Sequence, residues 1–247
     1  MNARCKAMER GHSSPQAAWN KTRGQKCPRS AFTGLDLIAV VSACVILVVL
    51  GQAARMRARS QAQMKVCQNN LGQIGKAVLE FAHENGSKLP GALQTQSGDP
   101  WWFYKEQVKI HMGLTTPSSE EDRAFACPVD RGYSDPGPFC KNSRFDYSSY
   151  VLNAVTLNGA PNIAGWGISE ISEPKKTLLA MEWCAHAPLS WHRSRTGKAN
   201  APFYCDAEGL VVFVDGHAEM IPIYYDGFNA AYTRDPIAGY RYRYSGR

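Results

Sequence analysis

The chain has 247 residues, and its 28 Lys or Arg against 21 Asp or Glu give a formal net charge of +7. Residues 1–31 hold seven of the basic residues and one acidic residue, so this segment alone carries +6 and the other residues together carry +1. Because the basic excess is confined to one end, the sequence offers no distributed basic surface, and we predict no nucleic-acid binding.

Residues 32–54 form an apolar segment in which Asp36 is the one charged residue. As an α-helix, a segment of this length crosses a hydrocarbon layer of about 30 Å. We therefore predict a transmembrane helix over residues 32–54, preceded by a basic leader over residues 1–31. A buried core helix and a cleaved secretory signal are alternatives, the latter because Gly51 and Ala53 form a small-x-small pattern. The length of the leader argues against a cleaved secretory signal, and so does the helical pattern that continues after residue 54.

Residues 55–86 continue the helix as an amphipathic segment. Apolar side chains recur at intervals of four, three, four and three residues, which is the spacing of one helix face: Cys67, Leu71, Ile74, Val78 and Phe81. Polar residues, Asn70 among them, are predicted on the other faces. Asn85-Gly86, followed by Pro90, supplies a stop. We predict one helix from residue 32 to about residue 84, whose second half packs on an exterior domain.

Residues 87–223 are predicted to form this exterior domain. Prolines are spaced between residues 91 and 147, where we predict irregular loops with a short helix. Short β-rich runs follow at residues 150–152, 177–181 and 210–214. The predicted fold class is therefore α+β, with the long N-terminal helix packed on an antiparallel β-sheet. The Tyr- and Arg-rich tail over residues 224–247 is predicted to be solvated or to form an edge strand.

Asp215-Gly216 lies between two β-rich runs and predicts a two-residue hairpin turn. Asp215 and His217 also have a second interpretation, because carboxylate and imidazole groups are ordinary metal ligands. Together with Asp130 or His192, they could bind calcium or another divalent cation. The hairpin alone explains the same residues, so both interpretations stay open.

The cysteines outside the leader and the apolar segment are Cys67, Cys127, Cys140, Cys184 and Cys205, and the chain has no C-x-x-C pair. Cys127 and Cys140 flank a short loop rich in Gly, Pro and Asp. In an oxidising compartment this pair could form a disulfide, which would stabilise the fold by about 3 kcal/mol. Free buried thiols are the alternative.

Few residues elsewhere suggest binding or catalysis. Trp101-Trp102-Phe103-Tyr104 could be a platform for a sugar or a partner, or could anchor a loop on the core. The chain has no G-x-S-x-G, P-loop, H-E-x-x-H or Rossmann glycine pattern. We therefore predict no catalytic residues and a protein that is not an enzyme.

The N-terminal features together resemble type IV prepilins and type II secretion pseudopilins. These features are the basic leader, Phe32-Thr33 after Ala31, an acid five residues into the apolar segment, and the change from apolar to amphipathic helix. The resemblance implies that a prepilin peptidase cleaves between Ala31 and Phe32 and methylates the amino group of Phe32. It also implies a pilin-like fold and an assembly role for Asp36, which would neutralise the N-terminal amine of a neighbouring subunit. The chain has Ala31, Gly34 and Asp36 where the family has Gly, Leu and Glu.

Further segments are similar to a large pseudopilin-like family of envelope proteins. They are residues 67–75 and 85–90 near the end of the helix, Cys127-Pro128-Val129-Asp130, and Phe213-Val214-Asp215-Gly216-His217. In that family a His, a Gly and an Asn precede the last motif, and their loose counterparts here are His192, Gly197 and Asn200.

The resemblance implies a structural subunit in an envelope secretion or pilus-type fibre. Its partners would be the prepilin peptidase, other pilin or pseudopilin subunits and membrane lipid, and it would need no cofactor unless the Asp215 site binds a cation. It would cross the bacterial inner membrane once, with a cytoplasmic leader and a periplasmic C-terminal domain. The alternative is a periplasmic cation- or glycan-binding domain on an uncleaved anchor.

Overall fold

The computed structural model of the chain describes residues 33–91, 100–115, 117–133, 137–186, 189–194, 207–224 and 231–247. Contacts divide the chain into two compact units, Met1–Leu50 and Gly51–Arg247. The predicted leader and the cleavage junction at Ala31 and Phe32 lie outside the described residues, as do Gly197 and Asn200.

A long helix, α1, runs from Gly34 to Glu84 and confirms the predicted continuous helix. It ends where Gly86 and Ser87 adopt φ angles of 65° and 62°, the left-handed conformation that commonly terminates helices. In the first unit, the side chains of residues 34–50 are all exposed, although most are large and apolar. Within the described chain, α1 is the one helix long and apolar enough to cross a membrane.

The second unit contains an antiparallel sheet, which makes the described fold α+β. Among the described residues the sheet has five strands: β1 (Tyr150–Leu152), β2 (Leu178–Glu182), β3 (Arg193–Ser194), β4 (Ala207–Phe213) and β5 (Ala218–Pro222). Strand β4 pairs with β2, β3 and β5, and β1 pairs with the other edge of β2. The strands predicted from the β-rich runs are therefore present, as is the hairpin between β4 and β5.

The second half of α1 packs on the sheet through the predicted stripe. Cys67, Leu71, Ile74 and Val78 are fully buried. The helix lies against the sheet at Gly75, where an added Cβ would lie 2.7 Å from Val212 Cγ2 of β4. Large apolar side chains on both elements thus form one core, and the absence of a side chain at residue 75 permits this close approach.

Asn70 is buried, not on an outer face as predicted. Its side-chain amide donates hydrogen bonds to the carbonyl oxygens of Arg123 and Ala126, at 3.2 and 3.0 Å. These two bonds satisfy backbone acceptors in the loop before Cys127, which is why a polar residue is stable next to the apolar stripe.

A second helix, α2, covers Pro100–Val108 and corresponds to the short helix expected in the loop-rich region. Short 3-10 helices interrupt the loops of the described chain: Lys109–Met112, Arg123–Phe125, Phe139–Lys141, Ser143–Phe145, Ile168–Glu170, Trp183–His186 and Ala231–Thr233.

The C-terminal tail is partly buried and partly exposed over its described part, residues 231–247. Tyr242 and Tyr244 are buried. The Arg243 carbonyl accepts a hydrogen bond of 3.0 Å from Leu178 N, and Arg243 N donates one of 2.9 Å to Lys176 O. The tail therefore pairs with the chain at the start of β2, as an edge segment does. This outcome favours the second of the two predicted alternatives, because the tyrosine rings contribute to the core.

Candidate functional site

The start of α1 carries the residues predicted to act in subunit assembly. Thr33 precedes the helix, and its N–H and hydroxyl both donate to Asp36 Oδ2, at 2.9 and 2.7 Å. Asp36 N in turn donates to Thr33 Oγ1 at 3.3 Å. This reciprocal pair is a capping box, which satisfies two backbone donors that a helix start leaves without partners. Asp36 therefore has a local role that the sequence analysis did not include.

Asp215 and His217 form a local pair in the hairpin between β4 and β5. The connection has three residues, 214–216, and not the predicted two, because Val212 pairs with Ala218 and Phe213 N donates to the carbonyl oxygen of His217. Gly216 adopts a φ of 90°, the left-handed conformation of the last residue in a three-residue hairpin loop. Asp215 Oδ1 accepts from His217 N at 3.2 Å and also contacts His217 Nδ1, and the imidazole ring stacks on Phe213 with centroids 4.3 Å apart. Partial desolvation opposes ionisation of Asp215, but the hydrogen bonds from His217 outweigh it and lower the pKa of this carboxyl.

The structure does not bring the other predicted cation ligands to this pair. Asp130 accepts hydrogen bonds from Gly132 N, Cys140 N and Ser149 Oγ at 2.7–2.9 Å. His192 is bonded to a different carboxylate, that of Glu182. The predicted site built from Asp215, His217 and either Asp130 or His192 is therefore wrong in its third ligand, because both candidates are engaged elsewhere.

A different cluster of ligand-type side chains lies in the core: Cys67, Cys127, Glu182 and His192. One ligand atom of each lies within 4.8 Å of those of the others. His192 Nε2 is 2.9 Å from Glu182 Oε1, and Cys127 Sγ is 3.6 Å from Glu182 Oε1 and 3.7 Å from His192 Nε2. The side chains of His192 and Glu182 are 3% and 0% exposed. Among the described residues, this is the one group of His, Cys, Asp or Glu side chains whose ligand atoms lie close enough together to hold a metal ion.

Each member of the cluster is positioned by a regular element or a buried hydrogen bond. Cys67 lies on the buried stripe of α1, and Glu182 is the last residue of β2, where its Oε2 accepts from Leu210 N of β4 at 3.2 Å. Cys127 N donates to Ser149 Oγ at 2.9 Å, and His192 N donates to Ser190 Oγ at 3.1 Å. The cluster thus joins the helix, the sheet and the loop after residue 125.

Cys67 and Cys127 form a disulfide, so the predicted pairing of Cys127 with Cys140 is not the one observed. Cys140 is a free thiol, and burial raises its pKa to about 11. Cys140 lies in the 3-10 helix Phe139–Lys141, where its N–H bonds to Asp130. Cys127 instead faces α1, because Asn70 holds the loop that precedes it against the helix.

Sequence reasoning missed Cys67 and Glu182 as site residues. Cys67 lies on the buried stripe of α1, as predicted, and is also a member of this cluster. Glu182 could have been noticed because it is an acid directly after the apolar run Leu178–Met181, and a carboxylate in a buried strand needs a partner.

The aromatic run at the start of α2 is part of the core. Trp101 is 9% exposed and Tyr104 is fully buried. Trp101 and Trp102 both make edge-to-face contacts with Trp183, with ring centroids 5.0 and 5.3 Å apart. This packing anchors the aromatic run on the core, which is the second of the two predicted roles. It leaves little of the Trp101 surface exposed for binding a sugar.

No family model, curated protein or solved structure matches this chain.

A buried ion pair connects α2 to the following loops. Lys105 Nζ lies 2.8 Å from Asp122 Oδ2 and donates to the carbonyl oxygen of Asp146 at 2.9 Å. Burial lowers the pKa of Lys105, although Asp122 opposes this shift. Burial raises the pKa of the Asp146 carboxyl to about 6. The partners of Lys105 are all groups that hold loops, so we regard this cluster as structural.

A cavity of about 460 Å³ lies beside β5. Its walls include aromatic and basic side chains, among them Phe213, His217, Tyr240, Tyr242, Lys176 and Arg241. Aromatic faces and cationic groups together suit a sugar or an organic anion.

Proposed function

We propose that this chain is a pseudopilin-like structural subunit, anchored in the envelope membrane by α1 and assembled with neighbouring copies through the first part of that helix. The observation that carries the proposal is the two-part character of α1. Residues 37–50 expose an apolar surface without a charged side chain, whereas the stripe from Cys67 onward is buried on the sheet. An exposed apolar surface of this kind is covered by lipid or by other protein.

Asp36 supports assembly in addition to anchoring. A carboxylate near hydrocarbon is costly, and Thr33 provides hydrogen bonds but no positive charge. The amine of a processed neighbouring subunit would supply that charge and would offset the desolvation of the carboxylate. Helix capping needs only a side-chain oxygen that accepts a hydrogen bond at this position, so capping alone does not account for an ionised carboxylate beside hydrocarbon.

Mass spectrometry of the N-terminus tests the processing step. The chain is expressed with a prepilin peptidase, extracted from the membrane and analysed intact. We expect a mature protein that begins at N-methylated Phe32, and we expect the variant Ala31→Gly to be processed at least as completely. A mature chain that begins at Met1, or at Ala54 after cleavage as a secretory signal, would refute the proposal.

Variants of Asp36 separate its charge from its capping role. Asp36→Asn keeps a side-chain oxygen that can accept from Thr33, whereas Asp36→Glu keeps the charge. With a photo-cross-linking residue at Val45, we expect copies of the Asp36→Glu variant to cross-link and copies of Asp36→Asn to lose most cross-linking while still inserting in the membrane. Equal cross-linking by the Asn variant would limit Asp36 to helix capping.

A second candidate function is a membrane-anchored domain that binds a glycan or organic anion in the cavity beside β5. The aromatic and basic lining of that cavity supports this candidate, whereas the buried Trp101 does not contribute to it. The variant Tyr240→Ala should abolish retention on immobilised glycan without changing the N-terminal mass. Processing at Phe32 combined with no glycan retention by the parent chain would exclude this candidate.

A further inference from the structure

We propose that the reduced chain binds one zinc ion, or a similar divalent cation, through Cys67, Cys127, Glu182 and His192. This site is distinct from the predicted pair at Asp215 and His217, and it does not depend on the pseudopilin proposal. In the oxidised chain the disulfide between the two cysteines occupies the same position.

Three of the four donor atoms, those of Cys127, Glu182 and His192, already have nearly the spacing of a tetrahedral site. Zinc bond lengths of about 2.0–2.3 Å place neighbouring ligand atoms roughly 3.4–3.8 Å apart. Cys127 Sγ lies 3.6 Å from Glu182 Oε1 and 3.7 Å from His192 Nε2. The Nε2–Oε1 distance of 2.9 Å is a hydrogen bond that the cation would replace, and it needs to lengthen by about half an ångström to meet the same geometry.

The chemical types of the four ligands suit zinc. Two thiolates and one imidazole are the common zinc donor set, and a carboxylate completes four-coordinate sites. Calcium and magnesium prefer oxygen ligands only, so they fit this cluster poorly. The buried Glu182 carboxylate also gains a full positive partner, whereas in the present structure its hydrogen-bond partners are His192 and Leu210 N.

Only the reduced chain can form the site, because the two sulfurs of a disulfide are closer together than two tetrahedral ligands. A dithiol or phosphine reductant supplies two electrons and cleaves the S–S bond, and each sulfur takes one proton. Zinc then displaces these two protons to solvent and bonds to both thiolates, to Glu182 Oε1 and to His192 Nε2, while the imidazole carries its proton on Nδ1. The metal thus replaces the covalent link between α1 and the loop after Phe125.

Zinc uptake by the full chain in detergent micelles tests the proposal. The protein is reduced with a phosphine, freed of reductant without oxygen, mixed with zinc and passed through gel filtration, and bound metal is measured by mass spectrometry. We expect the reduced chain to retain one more zinc ion than the oxidised chain. Cobalt in place of zinc should give sulfur-to-metal charge-transfer bands and the intense visible bands of tetrahedral coordination.

Four variants locate the ligand set. Glu182→Gln preserves the volume of the side chain and should weaken zinc binding at least about tenfold, and Cys127→Ser should do the same. Asp215→Asn and Cys140→Ser are matched controls, which should bind as the parent chain does. The circular-dichroism melt of each variant, in the reduced state to which zinc is added, establishes that it folds, and His192→Asn replaces Glu182→Gln if the latter does not.

The outcomes are decisive in either direction. Equal zinc retention by the reduced and oxidised parent chains would overturn the proposal without reference to any variant. Undiminished binding by a folded Glu182 or His192 variant would also overturn it. Loss of binding in Asp215→Asn alone would assign the cation to the exposed hairpin pair.

Discussion

The disulfide between Cys67 and Cys127 should be a large contributor to the stability of the second unit. The two residues are 60 apart in sequence. The chain entropy that such a cross-link removes from the unfolded state corresponds to about 4 kcal/mol at 25 °C. In the double variant Cys67→Ala/Cys127→Ala, Glu182 and His192 still bond to each other, so no buried charge loses its main partner. We therefore expect the unfolding free energy to fall by about 4 kcal/mol and not substantially more.

Urea denaturation of the oxidised full chain in micelles, followed by tryptophan fluorescence, measures this loss, because Trp101 and Trp183 are buried in the second unit. Cys140→Ala is the matched control, and we expect it to change stability by about 0.5–1 kcal/mol at most. The parent chain, reduced in the presence of a chelator, should match the double variant. A loss caused by Cys140→Ala but not by the double variant would refute the reasoning, as would a non-reduced peptide map that joins Cys127 to Cys140.

Two further predictions concern packing and pH. Gly75→Ala should destabilise the fold by about 1–3 kcal/mol, because its Cβ would overlap Val212. Gly72→Ala is the control: its Cβ would have no neighbour within 4 Å, so the variant should be neutral or slightly stabilising. Thermal melts of the two variants compare these effects directly. Burial raises the pKa of Asp146 from 3.8 to about 6, so its contribution favours folding at low pH and is lost as the pH rises between these values. Asp146→Asn should flatten that part of the stability profile, since Asn tolerates the φ of 51° at this position. An unchanged pH profile would show that Asp146 does not titrate in this range.

Features set by neighbouring residues could be predicted from the sequence. The helix that ends near Glu84 follows from its apolar period and its stop signal, and the hairpin at Asp215-Gly216 follows from turn chemistry. The candidate cluster could not be predicted in the same way. Cys67, Cys127 and Glu182 lie on a helix, a loop and a strand, and only the packing of α1 on the sheet brings them together.

The cysteine pairing shows the same distinction. Closing the short loop between Cys127 and Cys140 costs less conformational entropy than closing the longer loop between Cys67 and Cys127, and a sequence argument favours the shorter loop for that reason. The native fold reverses this preference, because Asn70 bonds to the two carbonyl groups at Arg123 and Ala126 and turns Cys127 toward Cys67. The side chain that indicates the correct pair is therefore the buried amide of Asn70, three residues after Cys67 on α1. Its role cannot be predicted from the sequence, because it depends on where the loop lies in the folded chain.

The link from α1 to the loop also determines how the second unit would carry a mechanical load. Cys67 and Asn70 occupy one turn of the helix and fasten it to the same loop, one through a covalent bond and the other through two hydrogen bonds. Tension along α1 would reach this loop through the disulfide before it loaded the packing contacts at Gly75 and Val78, which lie further along the helix. The cross-link would then carry load that otherwise passes through the packing of α1 on the sheet. Its reduction would therefore lower the unfolding force of the second unit by a larger fraction than it lowers the thermal stability.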